Sequence, residues 1–164
     1  MKTLNDLFEN HLKDLYSTEE QILNIFPSML NVTNDVMLNT ALNDHIEETR
    51  IHKARVRLIC DELQIDFEGH SCQGFEGLIS TAKNFIEEEN SQQVLNAGLL
   101  AHVRSIEHYE IAAYDTAVHF ALELGYVEIA EKLRKTLDEE YNADDKLTDI
   151  AGERLSLFTH FRKK

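Results

Sequence analysis

Four stretches of this chain carry amphipathic helical periodicity, and in each the apolar stripe is broken near its middle by carboxylate or imidazole side chains. Charge buried inside a protein is costly unless it is paired or meets a metal. A fold that buries these stripes must therefore also bring their polar interruptions together.

The first stripe runs Leu4, Phe8, Leu15, Ile22, Phe26, Met29, with Glu19 between Leu15 and Ile22. The second runs Leu38, Ala41, Leu42, Val56, Ile59, with His45, Glu48 and His52 in its gap. The third runs Leu95, Leu99, Val103, Ile106, Ala113, Ala117, Phe120 and carries Glu110, with Glu107 one turn earlier. The fourth runs Ile129, Leu133, Leu137, Leu147, Ile150, with Glu140 and Asp144 between. Paired as antiparallel hairpins turning near Asn31 to Asn34 and near Gly125, the helices put these groups at matching heights. At roughly 1.5 Å per residue the mismatch between Glu19 and Glu48 is only about 5 Å.

The hairpins also look like copies. His11 through Glu19 aligns with His102 through Glu110 at an offset of 91, and Glu47 through His52 aligns with Glu139 through Asp144 at an offset of 92. Each match is short, yet both fall on the polar interruptions at nearly one spacing.

A chain of 164 residues has the length of one domain, and its single Pro and six Gly favour long helices. Its net charge of −14 argues against nucleic acid and anionic membrane as partners. No apolar run approaches the roughly 20 residues of a membrane span, and the opening Met-Lys-Thr-Leu-Asn-Asp reads as a helix start, so the protein is expected to be cytoplasmic. Cys60 and Cys72 lack a Cys-x-x-Cys arrangement and are expected as free thiols, so an electron donor must be another molecule.

Thr3 begins helix one, which Pro27 should kink or end. Helix two spans about 34–63, a shorter helix spans about 75–89, Asn90 and Ser91 cap helix three, and Gly125 stops it. Helix four begins near Val127 and continues at least to Leu155. One ferritin-like domain, 1–164, is expected: an all-α four-helix bundle of two antiparallel hairpins, about 3–64 and 91–156. The long crossover, 65–90, carries the short helix.

A pair of iron or manganese ions in a bundle core calls for hard oxygen donors with one or two histidines. The expected ligands are Glu19, Glu48, His52, Glu107, Glu110, Glu140 and Asp144. Glu19 and Glu110 would be terminal, Glu48 and Glu140 bridging, His52 and Asp144 the caps, and Glu107 an additional ligand. The i, i+4 spacing of Glu48 with His52 and of Glu140 with Asp144 departs from the usual Glu-x-x-His. His45 stays open between a ligand, a hydrogen-bond donor to a ligand and a core histidine. Glu47 and Glu139 are expected in solvent. Tyr16, Tyr109 and Tyr114 are expected to pack, with a hydrogen bond to a metal-bound carboxylate as the sharper role.

The segments Asp14-Leu-Tyr-Ser-Thr-Glu19, His45-Ile-Glu-Glu-Thr49, Cys72-Gln-Gly-Phe-Glu-Gly-Leu-Ile79, Glu107-His-Tyr-Glu-Ile-Ala-Ala-Tyr114 and Leu137-Asp-Glu-Glu140 through Asp144 resemble the YciE/YciF group of bacterial ferritin-like proteins. The resemblance covers nearly the whole chain. It implies a fold similar to the rubrerythrin core, a di-metal site, a homodimer and a part in stress responses. Carried over by position, it supports Glu19, Glu48, Glu107, Glu110, Glu140 and Asp144, while relatives can place Gln at position 52.

The leading functional expectation is a di-iron protein with ferroxidase- or peroxidase-type chemistry. Fe(II), dioxygen and hydrogen peroxide would be its substrates, manganese the alternative metal, and an external molecule its electron donor. The competing expectation is a non-enzymatic stress or partner-binding bundle whose metal is structural.

Overall fold

Polar caps and left-handed turns set the helix boundaries. The computed structural model describes the backbone of residues 1–161 and side chains through residue 153. Helix α1 (Leu4–Val32) opens on a capping box, in which the Thr3 hydroxyl accepts from the Asp6 N–H and the Asp6 carboxylate accepts from the Thr3 N–H. At α2 (Val36–Glu62) the Asp35 carboxylate accepts from the Leu38 N–H at 2.9 Å. Helix α3 (Gln73–Glu87) precedes α4 (Gln92–Glu123), where the Ser91 hydroxyl accepts from the Val94 N–H, and α5 (Val127–Phe161) completes the chain described.

Helices α2 and α4 end alike. The chain turns left-handed at Gln64 (φ 56°) and at Gly125 (φ 81°). The next residue's N–H then reaches back to an otherwise orphaned carbonyl, Ile65 to Cys60 and Tyr126 to Ala121, both at 2.8 Å. Glycine adopts this conformation freely; Gln64 carries the modest cost of a Cβ there.

Pro27 does not end the helix, because α1 continues through it to Val32. Pro27 itself is exposed, so the hydrogen bond it removes lies on the wet side of the helix, while its neighbours Phe26 and Met29 are buried and hold the segment in place.

The cross-helix contacts fix the topology. His11 Nε2 lies 2.8 Å from the Ala113 carbonyl and the Thr33 hydroxyl donates to Asn96 at 3.0 Å, so α1 and α4 are antiparallel. Lys132 meets Glu62 at 2.6 Å and Arg55 meets Glu139 at 2.8 Å, so α2 and α5 are antiparallel as well. With antiparallel hairpins, α2 and α4 then run in the same direction, and the link between them must travel the length of the bundle. Helix α3 makes that journey packed on α1 and α4. This is the ferritin-like arrangement of two hairpins joined by one long crossover. Gly98 helps seat it: a Cβ there would fall 2.1 Å from the Phe85 ring of α3. Among the described residues no helix is long and apolar enough to cross a membrane.

The bundle interior is two apolar blocks with a polar layer between them. One block gathers Ile22, Phe26, Met29, Leu38, Leu42, Leu99, Val103 and Leu147 with Phe75 and Ala82 of α3. The other gathers Phe8, Leu12, Leu15, Val56, Ile59, Ala117, Ile129 and Leu133. Each fully buried aliphatic side chain contributes about 1.5–3 kcal/mol relative to exposure, so the blocks can hold between them a layer that would not assemble alone.

Candidate metal centre

The polar layer is built by all four long helices. Helix α1 sends in Glu19, α2 sends His45 and His52, α4 sends Glu107 and Glu110, and α5 sends Glu140; all six are buried. Two groups form around a shared carboxylate. In the first, which we call the Glu19 lobe, donor atoms of Glu19, His52 and Glu140 all lie within 4.8 Å of one another. In the second, the His45 lobe, donor atoms of His45, Glu107, Glu110 and Glu140 satisfy the same limit.

These residues are short of hydrogen bonds. Both oxygens of Glu107, Glu110 and Glu140, one of Glu19, both nitrogens of His45 and Nδ1 of His52 have no hydrogen-bonding partner. All ten such atoms among the described residues belong to this one layer. Close approaches do occur: His52 Nδ1 is 2.8 Å from Glu140 Oε1, and His45 Nδ1 is 3.2 Å from Glu107 Oε1. Each is an ion pair when its imidazole carries a proton. An ionised carboxylate buried without a partner costs several kcal/mol. Three carboxylates here have no hydrogen bond and Glu19 has one, so ionising all four would cost an amount comparable to the roughly 5–15 kcal/mol by which a whole domain is stable. The layer must therefore be neutralised by protons or by cations.

The electrostatics have the same cause. Burial, with repulsion from Glu140, raises the Glu19 carboxyl to about 7 against the opposing pull of His52 and Tyr114. Burial pushes Glu107 and Glu110 well above the carboxylate range, and their acidic neighbours add to the shift. Burial alone would lower the two histidines. The facing carboxylates, Glu107 foremost for His45 and Glu140 for His52, outweigh it and raise both.

Two supports surround the Glu19 lobe. The Tyr114 hydroxyl donates a hydrogen bond to Glu19, and burial followed by this carboxylate raises the phenol's own pKa. On the far side of His52, Nε2 donates at 3.1 Å to Glu139, which also accepts from Arg55 at 2.8 Å. Burial pushes the Glu139 carboxyl up, but Arg55 and His52 prevail and hold it below its ordinary value. A carboxylate fixing the outer nitrogen of an imidazole presents the inner nitrogen to a ligand site. Glu139, expected in solvent, is half-buried and braces His52.

Of the seven expected ligands, Glu19, His52, Glu107, Glu110 and Glu140 come together in the layer. Glu48 does not: its side chain is 34 % exposed and pairs with Lys146 at 3.8 Å. Asp144 does not either; it lies on the seam between α4 and α5, 3.3 Å from Arg104 Nε and 3.2 Å from His108 Nε2. His45, left open by the sequence, is inside. One residue along a helix turns a side chain by roughly 100°, and Glu48 and Asp144 each lie one residue off the buried series. Thr49, beside Glu48, is fully buried, and Ala143, beside Asp144, is buried. The missed signal is the spacing 38, 42, 45, 49, 52, 56, 59, which is strictly alternating fours and threes and contains His45 and His52 but not Glu48. Tyr114, expected to pack, does so within the second apolar block and also makes the hydrogen bond to Glu19. Both cysteines are free, as expected.

Four carboxylates and two imidazoles suit iron, manganese and zinc alike, and ten orphaned donor atoms facing one layer are what a pair of cations would satisfy. Fold and layer together define a ferritin-like helical bundle with a carboxylate and histidine core. The chain belongs to the family described as Domain of unknown function (DUF892), whose model matches residues 3–159. It is similar to Protein YciF of Escherichia coli (strain K12), 37% identical over 152 residues, 92% of each chain. The crystal structure of the E. coli stress protein YciF superposes with a TM-score of 0.90 at 36% identity, covering 95% of this chain and 99% of that one. YcfI from Rhodopseudomonas palustris gives 0.85 at 34% identity, covering 90% and 94%. A protein from Xanthomonas campestris pv. campestris gives 0.74 at 19% identity, covering 99% and 100%, a likeness of fold alone.

Proposed function

We propose that Glu19, His45, His52, Glu107, Glu110 and Glu140 hold two metal ions, which we assign as iron with manganese as the alternative, and that the protein serves stress protection through ferroxidase- or peroxidase-type chemistry. The observation that carries the reading is the confinement of every orphaned buried donor atom among the described residues to these six side chains. Similarity to the E. coli stress protein YciF supports the physiological setting. Two Fe(II) ions so held would supply two electrons to dioxygen or hydrogen peroxide, or be oxidised as substrate.

The chain's own residues have definable parts. Glu140 belongs to both lobes and would be the bridge. Tyr114 orients Glu19, and Glu139 with Arg55 orients His52. Protons on Glu19, Glu107 and Glu110, held by burial, would leave as cations arrive, so uptake releases acid. The apolar blocks on either side keep bulk water from the layer.

The test is anaerobic Fe(II) titration of metal-free protein, then optical spectra and rates on adding dioxygen or, separately, hydrogen peroxide. Saturation near two irons per chain with rapid oxidation is the expected outcome. Tight binding without oxidation would reduce the metal to a structural staple, and absence of binding would leave the layer a protonated polar core.

A further inference from the structure

The His45 lobe has an opening towards the surface. A narrow cleft whose lining includes Ala41, His45, Glu48, Glu107, Ala143 and Lys146 leads from the surface to two of the buried donors. It offers about 10 Å³ to the centres of water-sized bodies, the room of one water molecule. His45 and Glu107 form its inner end, both buried and both with orphaned polar atoms. Glu48 is its other carboxylate, at 34 % exposure, paired with Lys146, at 49 % exposure, across 3.8 Å.

We propose that this cleft is the route by which a divalent cation reaches the layer, with Glu48 as a transit ligand and Lys146 as the charge that holds Glu48 when no cation is passing. The proposal deepens the metal reading above and rests on it. The dimensions carry the argument. A cleft that admits one water-sized body excludes a cation with its full hydration shell, so the ion must shed waters as it enters. A carboxylate placed between solvent and the first buried donors can replace what is lost. Ala41 and Ala143 line the cleft with the smallest apolar side chains, which keep it open without supplying competing donors. The net charge of −14 favours cations over anions on approach. Lys146 opposes that approach locally, and a cation that takes its place on Glu48 removes the opposition. The one-residue displacement of Glu48 from the buried stripe thus gives it a different task from Glu140: a ligand of passage, half in water, and no member of the final set.

The experiment follows Co(II) binding to metal-free protein in a stopped-flow instrument, using the metal's visible absorption, which reports binding without turnover. Final stoichiometry is measured separately by elemental analysis. Glu48→Gln keeps size and loses charge, and uptake should slow by about tenfold while the final metal content is unchanged. Lys146→Met removes the competing charge, and uptake should quicken. Both positions lie at the surface, and far-UV circular dichroism checks that each variant keeps its helices. Equal rates in wild type and both variants, with normal Co(II) content, would overturn the passage and leave the metal reading standing. Reduced final content in Glu48→Gln would also overturn it, by making Glu48 a resident ligand. No Co(II) binding by the wild type would overturn the metal reading and the passage with it.

Discussion

The two lobes of the polar layer share Glu140 and differ in almost everything else. The Glu19 lobe is braced: Tyr114 donates to its carboxylate, and Glu139 and Arg55 lock its histidine from behind. The His45 lobe has more carboxylates and less bracing, since neither nitrogen of His45 and no oxygen of Glu107 or Glu110 has a hydrogen bond. It is also the lobe that the narrow cleft reaches. Bracing is thus concentrated in one lobe, and the narrow cleft reaches the other. A braced lobe loses little on binding, because its donors are already held; an unbraced one must be ordered by the ion itself. We expect the two positions to fill with unequal affinity, the braced one first.

Removing the shared group tests this division most severely. Glu140→Ala takes a donor from both lobes, and metal content measured by elemental analysis should fall from about two ions per chain towards none, as loss of a bridging ligand affects both ions. Retention of one tightly held ion would show that the lobes are independent and that Glu140 serves only one.

Acidity acts on both lobes through the metal-free protein. Glu19, Glu107 and Glu110 hold their protons more tightly when folded, and His45 and His52 also bind protons more tightly than their ordinary values allow. Every one of these shifts raises a folded pKa above the unfolded value. For Glu19 the stabilisation is therefore complete below the unfolded value of 4.5 and is lost as pH rises through its folded value of about 7, and the other four groups act in the same direction. Glu19 alone accounts for a change on the order of 3 kcal/mol. Thermal unfolding of the metal-free protein from pH 5 to pH 7.5 should show a falling melting temperature, and bound metal should flatten that fall. A melting temperature that rises over this range without metal would mean that the carboxylates are not protonated in the fold.

A smaller change separates the lobes. Tyr114→Phe leaves Glu19 without a hydrogen-bond donor and should cost about 1–3 kcal/mol in urea unfolding of the metal-free protein. The His45 lobe should keep its metal affinity. An equal weakening of both positions would show that the bracing is shared, and the contrast drawn between them would fail.

Much of this architecture is legible in the sequence, because helical burial leaves a periodic trace. The positions 8, 12, 15, 19, 22, 26, 29 in α1 and 129, 133, 136, 140, 143, 147, 150 in α5 alternate fours and threes, and every one of these residues is buried. Glu19 and Glu140 fall on those series, so their inward direction can be read directly. Glu48 and Asp144 fall one place off. They attract attention as carboxylates, and aligning the second helices at an offset of 92 reinforces the error. The offset of 91 that relates Glu19 to Glu110 pairs Glu140 with Thr49, which is buried and donates its hydroxyl to the His45 carbonyl at 2.8 Å. The internal repeat is therefore a repeat of shape, in which a threonine stands where the other hairpin has its central carboxylate. Glu139 was beyond reach for another reason. Its role depends on Arg55 and His52 of a neighbouring helix, and periodicity along α5 says nothing of what stands opposite. Pro27 likewise reads as a helix end until its exposed position is known.

The crossover has a consequence for the order in which the molecule is made. One hairpin contributes Glu19, His45 and His52, the other Glu107, Glu110 and Glu140, and each lobe draws on both. Local contacts can form either hairpin early, whereas joining them requires α3 to span the bundle and brings together residues far apart in the chain. Neither hairpin alone contains a complete lobe. The polar layer thus serves as a record of assembly: a cation would find its full set of donors only on a chain whose two halves have already met.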